Sequence, residues 1–366
     1  MDPLKQLQEY GQSVWADYIR RDFIVKGELS RMINEEGLAG VTSNPTIFEQ
    51  AINGSTAYDE ALRKLLDADP HIEPATVYEK LMVEDIRMAA DVLRPVYDRT
   101  RGGDGFVSIE VSPYLSRDTQ GTIAEARRLW HGVDRPNLMV KIPATAEGIP
   151  AVEACLSEGI NINVTLMFSL THYRAVAEAF LRGATRCLHP EALSSVASVF
   201  VSRIDTMVDR DLEAIAKPEA LDLRGKIAIA NAKMIYQEFR NIFGGEPFAK
   251  LRDRGVRVQR VLWGSTGTKN PAYSDVIYVE QLIGSDTINT MPLKTFAAFR
   301  DHGRVRGATV QQGLELNRAQ LDLLKRLNID LEAITENLQQ EGLAAFTASL
   351  DKLLDGIERK CHALCA

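Results

Sequence analysis

The segment Asn137-Leu-Met-Val-Lys141-Ile-Pro143-Ala-Thr145 places a lysine inside a short, mainly apolar run. Three apolar residues lead into Lys141, and Pro143 and Thr145 end the run, which is typical of a short strand buried in a parallel sheet. Burial disfavours the ammonium form of a lysine, and a lysine kept partly neutral can attack a ketone to form a Schiff base. The alternative is a lysine whose stem is buried while its ammonium reaches solvent at the edge of the sheet.

Seven further segments read as short strands, and stretches with helical apolar spacing separate them. With 137–145, the strands are predicted at 13–19, 38–45, 105–113, 161–168, 195–203, 256–265 and 286–292. Alternating strands and helices predict a parallel sheet, and eight units predict an α/β protein with a closed (β/α)8 TIM barrel and additional N- and C-terminal helices. A doubly wound sheet is the alternative, but no dinucleotide-binding glycine motif supports it.

We expect the whole chain, residues 1–366, to form this single barrel domain. Helical spacing also fills two regions outside the regular alternation of strand and helix. A helical insertion, read as two helical stretches, is therefore expected at about 204–255, and a helical C-terminal extension at about 305–366. The segment from Asp275 to Ile283 is mixed in period, and we predict a helix there because Gly284 follows it.

The composition excludes several classes of function. The chain is 45% hydrophobic and 25% charged, which is ordinary for a globular protein. Its net charge of −7 disfavours nucleic acid or an anionic membrane surface as a partner, so the positive charge needed for an anionic substrate must be local. No apolar run has the length of a membrane span, no signal peptide is visible, and four cysteines without a disulfide pattern indicate a reducing cytoplasm.

In a barrel of this kind, the residues that end the strands share one mouth. The residues expected at this mouth are Asp17, Asn44, Glu110, Lys141, Asn163, Thr165, Ser198, Arg203 and Ser265. This set suits carbonyl chemistry on a phosphorylated polyol. It contains an amine, two carboxylates, two amides, and a cation with hydroxyls. Taken singly, Asn44 could form a turn, Glu110 could pair structurally with Lys141, and Arg203 could face solvent. Their convergence favours a lysine-dependent aldol enzyme.

Three blocks of the sequence also resemble the transaldolase family. They are Gly-Val-Thr-Ser-Asn-Pro-Thr-Ile-Phe at 40–48, Val-Lys-Ile-Pro-Ala-Thr-Ala-Glu-Gly at 140–148, and Gly-Ile-Asn-Ile-Asn-Val-Thr-Leu-Met-Phe-Ser at 159–169. The segments 263–271 and 286–292 are similar to the longer bacterial branch of that family. The resemblance runs from about Ser13 to about Pro292.

The resemblance implies transfer of a dihydroxyacetone unit from sedoheptulose 7-phosphate or fructose 6-phosphate to an aldose phosphate such as glyceraldehyde 3-phosphate, in the non-oxidative pentose phosphate pathway. It implies that Lys141 forms an imine with the C2 carbonyl of the donor. Asp17 then takes the C4 hydroxyl proton as the C3–C4 bond breaks. Glu110 and Thr165 handle the water of imine formation and hydrolysis.

The same resemblance assigns the substrate-binding residues. Asn44 and Asn163 match the amides that hold the donor hydroxyls. The phosphate site corresponds to Ser198, Arg203 and Ser265. This chain departs from the family in one place, because Thr266-Gly-Thr-Lys269 stands where an arginine follows the position of Ser265, and Lys269 is the candidate replacement. Phe200, with Met167, is expected to keep the space around the imine dry.

Two rival functions stay open at this point. One is an aldolase that releases free dihydroxyacetone, and the other is a non-catalytic barrel that binds sugar phosphate or a partner protein. No cofactor and no metal are expected, since the imine acts as the electron sink and the six histidines stand singly. Small sugar phosphates are the expected partners, and a homodimer is a possible assembly.

Overall fold

The computed structural model describes residues 2–365 of the chain. Eight parallel strands close into a barrel in sequence order, with β1 paired to both β2 and β8. The predicted (β/α)8 barrel is therefore confirmed, and the doubly wound sheet is excluded because the sheet has no free edges. The strands are β1 (Gln12–Asp17), β2 (Gly40–Thr42), β3 (Phe106–Glu110), β4 (Leu138–Pro143), β5 (Ile162–Met167), β6 (Ser195–Phe200), β7 (Arg260–Gly264) and β8 (Thr287–Met291).

Helices follow the strands and surround the barrel. They are α1 (Pro3–Glu9), α2 (Arg21–Val25), α3 (Glu28–Glu36), α4 (Pro45–Asn53), α5 (Asp59–Ala68), α6 (Pro74–Arg99), α7 (Thr119–Val133), α8 (Gly148–Ser157), α9 (Leu170–Arg186), α10 (Ser202–Ile215), α11 (Pro218–Leu221), α12 (Ile227–Gly244), α13 (Glu246–Asp253), α14 (Ile277–Gln281), α15 (Leu293–His302), α16 (Leu314–Arg326) and α17 (Leu331–Cys365). Short 3-10 helices lie at Pro113–Leu115, Pro190–Ala192 and Thr309–Gln311. In residues 2–365, no helix is long and apolar enough to cross a membrane.

The strands form at short segments in which apolar and β-branched residues predominate, such as Leu-Met-Val in β4 and Val-Leu-Trp in β7. Every residue of β4, β5 and β8 is buried, because one face packs in the barrel interior and the other against the surrounding helices. Local signals then end the strands and begin the helices. Asn44 caps α4 by accepting a hydrogen bond from the Ile47 N–H at 3.0 Å, and Pro45 occupies the first turn.

Two regions with helical spacing contain more helices in the structure than the sequence pattern indicates. Apolar residues recur at helical spacing from Ile47 to Asp67, which predicts a helical region, and the structure has two helices there, α4 and α5, separated after Gly54. The region 204–255, predicted as two helical stretches, contains α10, α11, α12 and α13. Breaks fall at Lys217–Pro218, at Gly225 and at Gly245, where proline and glycine interrupt the ladder of helix hydrogen bonds. The helix predicted before Gly284 is present as α14.

The long C-terminal helix α17 packs against α4, α5, α6 and α10 and reaches β5. Its buried side chains recur at helical spacing and include Leu343, Phe346, Leu350 and Leu353. The Thr46 hydroxyl of α4 is hydrogen-bonded to the Ser349 hydroxyl of α17 at 2.8 Å. Because α4 begins at the carboxyl end of β2, this contact places α17 beside the mouth of the barrel.

Candidate active site

Lys141 lies in β4, and its side chain points to the mouth of the barrel. The residue is 4% exposed. Its Nζ atom donates a hydrogen bond of 2.8 Å to the Ser43 carbonyl oxygen and lies 2.9 Å from Oε2 of Glu110. The pairing of β3 with β4 sets this contact, because Glu110 and Lys141 are register partners. The ammonium is thus held inside the protein by a carboxylate and a carbonyl, and it does not extend into solvent.

Two carboxylates beside Lys141 have perturbed proton affinities. Burial raises the pKa of Glu110, the nearby Lys141 ammonium opposes that shift, and Asp17 adds to it. Burial also raises the pKa of Asp17, opposed by Lys141, by the hydrogen bond from Thr42 and by Lys269. Carboxyl groups with raised pKa values hold and release protons closer to neutral pH, as general acid and base catalysis requires.

Two threonines fix the orientation of Asp17, and the sequence reasoning did not identify them. The Thr42 hydroxyl donates to Oδ1 of Asp17 at 2.7 Å, and the Thr290 hydroxyl lies 2.7 Å from that of Thr42. Since the Thr42 proton is directed to Asp17, Thr290 donates to Thr42. Thr42 is the last residue of β2 and Thr290 the last but one of β8. Both lie in segments that the sequence predicts as strands, so the rule that groups strand-end residues at the mouth applies to them as well.

A cavity of about 270 Å³ opens at the mouth of the barrel. Nine of the residues selected from the sequence line it, together with several that were not. The predicted residues are Asp17, Asn44, Lys141, Thr165, Ser198, Phe200, Arg203, Ser265 and Lys269, and the additional ones include Thr42, Thr46, Gln50, Thr290 and Phe346. Phe346 belongs to α17, and no local signal in the sequence places that helix at the mouth.

Two predicted residues lie behind the wall of this cavity. Asn163 is fully buried; its Nδ2 donates to the Ser108 hydroxyl at 3.0 Å, and its Oδ1 accepts from the Ser198 hydroxyl at 2.6 Å. The structure therefore shows Asn163 orienting Ser198, and its contact with donor hydroxyls stays a prediction. The Glu110 side chain is 7% exposed and lines a neighbouring cavity of about 270 Å³ with Tyr78 and Tyr114.

The side of the mouth cavity near β6 and β7 is cationic. Arg203, at the start of α10, and Lys269, in the loop after β7, line it. Within residues 2–365 neither side chain has a hydrogen bond or salt bridge, whereas most other arginines are paired. Burial lowers the pKa of Arg203, opposed by Glu341. Lys269 is exposed at the rim of the cavity. Partial desolvation lowers the pKa of its ammonium, the nearby Arg203 charge lowers it further, and the Asp17 carboxylate opposes this shift.

Ser265 supports this cationic side from the end of β7. Its backbone adopts a left-handed conformation with φ of 52°, and its hydroxyl lies 3.1 Å from the Ser202 hydroxyl of α10. Two unpaired cations and two hydroxyls at one end of a cavity form a suitable site for a phosphate group.

A larger cavity of about 520 Å³ lies between α2, α3 and α15. The arginines that line it already form salt bridges, as Arg31 does with Glu28 at 2.6 Å and with Glu36 at 2.7 Å. Lys141 and Asp17 line the mouth cavity, and Glu110 contacts Lys141 from behind its wall, so the candidate active site lies there. In the part of the chain from 2 to 365, no cluster of three or more metal-ligating side chains is found.

A closed parallel barrel with a buried lysine, an adjacent carboxylate and a second carboxylate at its mouth defines an aldol enzyme of the Schiff-base class. The family model for transaldolase/fructose-6-phosphate aldolase matches residues 14–357. The chain belongs to this family. It is 46% identical to a transaldolase of Thermobifida fusca, with 99% of both chains covered. It is also 46% identical to a transaldolase of Thiobacillus denitrificans and 43% identical to one of Mycolicibacterium smegmatis, with at least 97% of each chain covered.

Proposed function

We propose that this protein is a transaldolase that moves a dihydroxyacetone unit between sugar phosphates through a Schiff base at Lys141. Sedoheptulose 7-phosphate or fructose 6-phosphate is the donor, and an aldose phosphate such as glyceraldehyde 3-phosphate is the acceptor. The observation that carries the proposal is the buried Lys141 ammonium, 2.9 Å from Glu110 and facing the mouth cavity. The relatives named transaldolase, aligned over nearly their whole length, support this activity.

Imine formation requires Lys141 to lose a proton and the donor C2 carbonyl to lose its oxygen as water. Glu110 is the acceptor for the lysine proton, because the two groups are in contact and burial raises the pKa of this carboxyl. The resulting neutral amine attacks C2, and protonated Glu110 returns the proton to the departing hydroxyl. Thr165 lines the cavity and offers a hydroxyl for the same water.

Cleavage of the C3–C4 bond follows, with the protonated imine as electron sink. The C4 hydroxyl must then lose its proton, and Asp17 is the base. The hydrogen bond from Thr42 fixes Asp17, and its raised pKa makes it a stronger base than an exposed carboxylate. The aldose phosphate leaves, and a three-carbon enamine remains on Lys141 until the acceptor aldehyde arrives and the steps reverse.

Arg203, Lys269 and Ser265 bind the phosphate in this scheme, and Asn44 holds donor hydroxyls. Oδ1 of Asn44 is engaged by the Ile47 N–H, which leaves its Nδ2 to donate toward the cavity. A three-carbon fragment bound to Lys141 lies at the other end of the cavity from the phosphate. We infer that Ser198, held by Asn163, contributes a further hydroxyl to the wall between them.

The alternative within the family is an aldolase that releases free dihydroxyacetone. Release requires a proton donor at the enamine carbon and a water to hydrolyse the imine. In the described part of the chain no histidine or tyrosine lines the mouth cavity, and Phe200 packs edge-on against Phe168 at 5.4 Å between ring centroids. Asp17 is the acid group that lines this cavity among the described residues, and in the reverse of cleavage its proton goes to the oxygen of the acceptor aldehyde. This use of the proton and the apolar wall support transfer over release.

The test is an assay of free dihydroxyacetone from fructose 6-phosphate, with and without glyceraldehyde 3-phosphate. We expect release without acceptor to be much slower than transfer with it. Phe200→Tyr should raise the ratio of release to transfer, because it brings a phenol to the cavity wall. Equal rates of release and transfer in the wild type would make the protein a cleaving aldolase.

The proposal includes a cytoplasmic location and a homodimer. Cys155 and Cys187 are buried and form no disulfide within residues 2–365, which suits a reducing compartment. Twofold dimers are the commonest closed assemblies of identical chains, and analytical ultracentrifugation of the full chain tests this one.

A further inference from the structure

The C-terminal helix α17 contacts the two strands that carry the proposed imine chemistry. Nε2 of Gln339 donates two hydrogen bonds of 3.0 Å, one to the Ala144 carbonyl oxygen and one to the Leu166 carbonyl oxygen. Ala144 directly follows β4, the strand of Lys141, and Leu166 directly follows Thr165 in β5. Gln339 is 4% exposed, so water does not readily replace these bonds. One amide of α17 thus joins β4 and β5 beside the active site.

The backbone conformation at Leu166 is unfavourable by itself, and the hydrogen bond from Gln339 to its carbonyl oxygen stabilises it. Its φ is 55°, a left-handed conformation that is unfavourable for a leucine, and the pairing of β5 with β6 shifts register between Val164 and Met167. The helix also fits closely against this bulge, since a Cβ atom at Gly342 would lie 2.7 Å from Cδ2 of Leu166. The bulge and the helix are therefore packed as one unit.

Thr165 lies within the bulge, beside Leu166. Its hydroxyl is buried and has no hydrogen-bond partner among residues 2–365, yet Thr165 lines the mouth cavity with Lys141. Bulges beside active sites re-aim a side chain that a regular strand would direct elsewhere. Because no hydrogen bond within residues 2–365 holds this hydroxyl, its direction depends on the backbone of the bulge.

We propose that Gln339 is a positioning residue that holds the β5 bulge and thereby directs the Thr165 hydroxyl at the imine carbon. The inference rests on the proposed role of Thr165 in handling water. Condensation of the Lys141 amine with the donor ketone forms the imine and releases one water, and hydrolysis reverses this. Gln339 therefore affects imine formation and hydrolysis, whereas carbon–carbon cleavage depends on Asp17 and does not use Thr165.

The experiment compares Gln339→Met with Gln340→Met, the same replacement one residue further along on the exposed face of α17. Each full-length protein is mixed rapidly with fructose 6-phosphate and quenched with borohydride, and the adducts on Lys141 are measured by mass spectrometry. For Gln339→Met we expect the rate of adduct formation to fall about tenfold, as the loss of two ordinary hydrogen bonds implies. The adducts should be mainly three-carbon fragments, because cleavage keeps pace. Gln340→Met should match the wild type.

The double variant Gln339→Met with Thr165→Val distinguishes a role of Gln339 in positioning Thr165 from a general disturbance of the structure. If Gln339 acts through Thr165, the double variant forms adducts no more slowly than Thr165→Val alone. A further tenfold loss in the double variant, or a wild-type rate in Gln339→Met, would overturn the inference. A wild-type rate in Thr165→Val would instead remove the proposed role of Thr165. Should Gln339→Met fail to fold, Gln339→Asn keeps an uncharged amide but shortens its reach to the two carbonyl oxygens, and the same outcomes apply to it.

Discussion

At the scale of single residues, the Lys141–Glu110 pair shows why the site is suited to covalent chemistry. Both side chains are nearly inaccessible to solvent, and a buried charge without a partner destabilises a protein. Each group therefore compensates the other in the resting state. Because burial also raises the pKa of Glu110, the proton of the ammonium has an acceptor within contact distance. The same contact thus stabilises the charged pair and prepares the amine for attack.

Arg203→Ala should mainly weaken the binding of phosphorylated substrates. Arg203 has no hydrogen bond or salt bridge within residues 2–365, so its guanidinium is free to bind phosphate. Charge-assisted hydrogen bonds contribute about 1.5–3 kcal/mol each, so the KM for fructose 6-phosphate should rise at least about tenfold. Steady-state kinetics with fructose 6-phosphate and with unphosphorylated fructose measures this.

Lys269→Ala is the matched variant for the second cation. If Lys269 shares the phosphate, it should raise the same KM, and neither variant should change the kinetics with unphosphorylated fructose. An unchanged KM in Arg203→Ala beside a raised KM in Lys269→Ala would move the phosphate to the loop after β7.

At this scale the strand-end residues are predictable from the sequence, but their depth in the barrel is not. The bounds of a strand are uncertain by a residue or two, so the pattern does not state how far from the mouth a side chain lies. Asn163 is the register partner of Lys141, but its side chain is fully buried behind the cavity wall, where it orients Ser198. The threonine pair that orients Asp17 was missed because a threonine at a strand end has no distinctive chemistry until its neighbour is known.

At the scale of elements, Asp205 joins three helices beneath the phosphate side of the cavity. Its Oδ1 accepts from the Ala228 N–H of α12 at 2.8 Å, and its Oδ2 accepts from the Tyr278 hydroxyl of α14 at 2.8 Å. Asp205 itself belongs to α10 and is 2% exposed. Burial raises the pKa of its carboxyl from 3.8 to about 7; the hydrogen bonds oppose this shift, and Asp209 adds to it.

Asp205→Asn should change how stability depends on pH. Between the unfolded pKa near 3.8 and the folded pKa of about 7, the folded wild type binds one proton more than the unfolded chain. The free energy of unfolding contributed by this group therefore falls as pH rises through that window. The variant cannot titrate there, so its stability relative to the wild type should increase from pH 4 to pH 7 and then level off. Urea denaturation of both proteins across this range tests it, and a constant difference would contradict the assignment.

The sequence predicted all eight strands but not the path of α17. Each strand has a local signal, a short run of apolar or β-branched residues with turn residues after it, as in β4. The apolar spacing of Leu343, Leu350 and Leu353 predicts a helix, but a helical pattern does not state which surface the helix covers. Phe346 and Gln339 therefore became candidates for the site only when the packing of α17 was known.

At the scale of the whole molecule, closure of the barrel brings distant segments together. Asp17 of β1 and Thr290 of β8 lie on either side of the joint where the sheet closes, and Thr42 links them. The molecule carries a net charge of −7, yet the unpaired cations Arg203 and Lys269 share one end of the cavity. The positive potential that attracts an anionic substrate is thus local to this end of the cavity, whereas the molecule as a whole is negatively charged.

Activity should survive exhaustive chelation. The protonated imine on Lys141 supplies the electron sink that a metal ion provides in metal-dependent aldolases, so the proposed steps use no metal. Transfer activity is measured before and after dialysis against EDTA, and again after zinc is added. Loss of activity on chelation followed by recovery with zinc would place the chemistry on a metal ion instead.

Borohydride trapping tests the central claim most directly. The full-length protein is incubated with fructose 6-phosphate, reduced with borohydride, digested and examined by mass spectrometry, with Lys141→Ala treated in parallel. The account predicts a stable adduct on Lys141 that requires the sugar, and a folded Lys141→Ala protein with no adduct and activity lower by several orders of magnitude. An adduct on another lysine, or near-normal transfer in the folded Lys141→Ala protein, would contradict it.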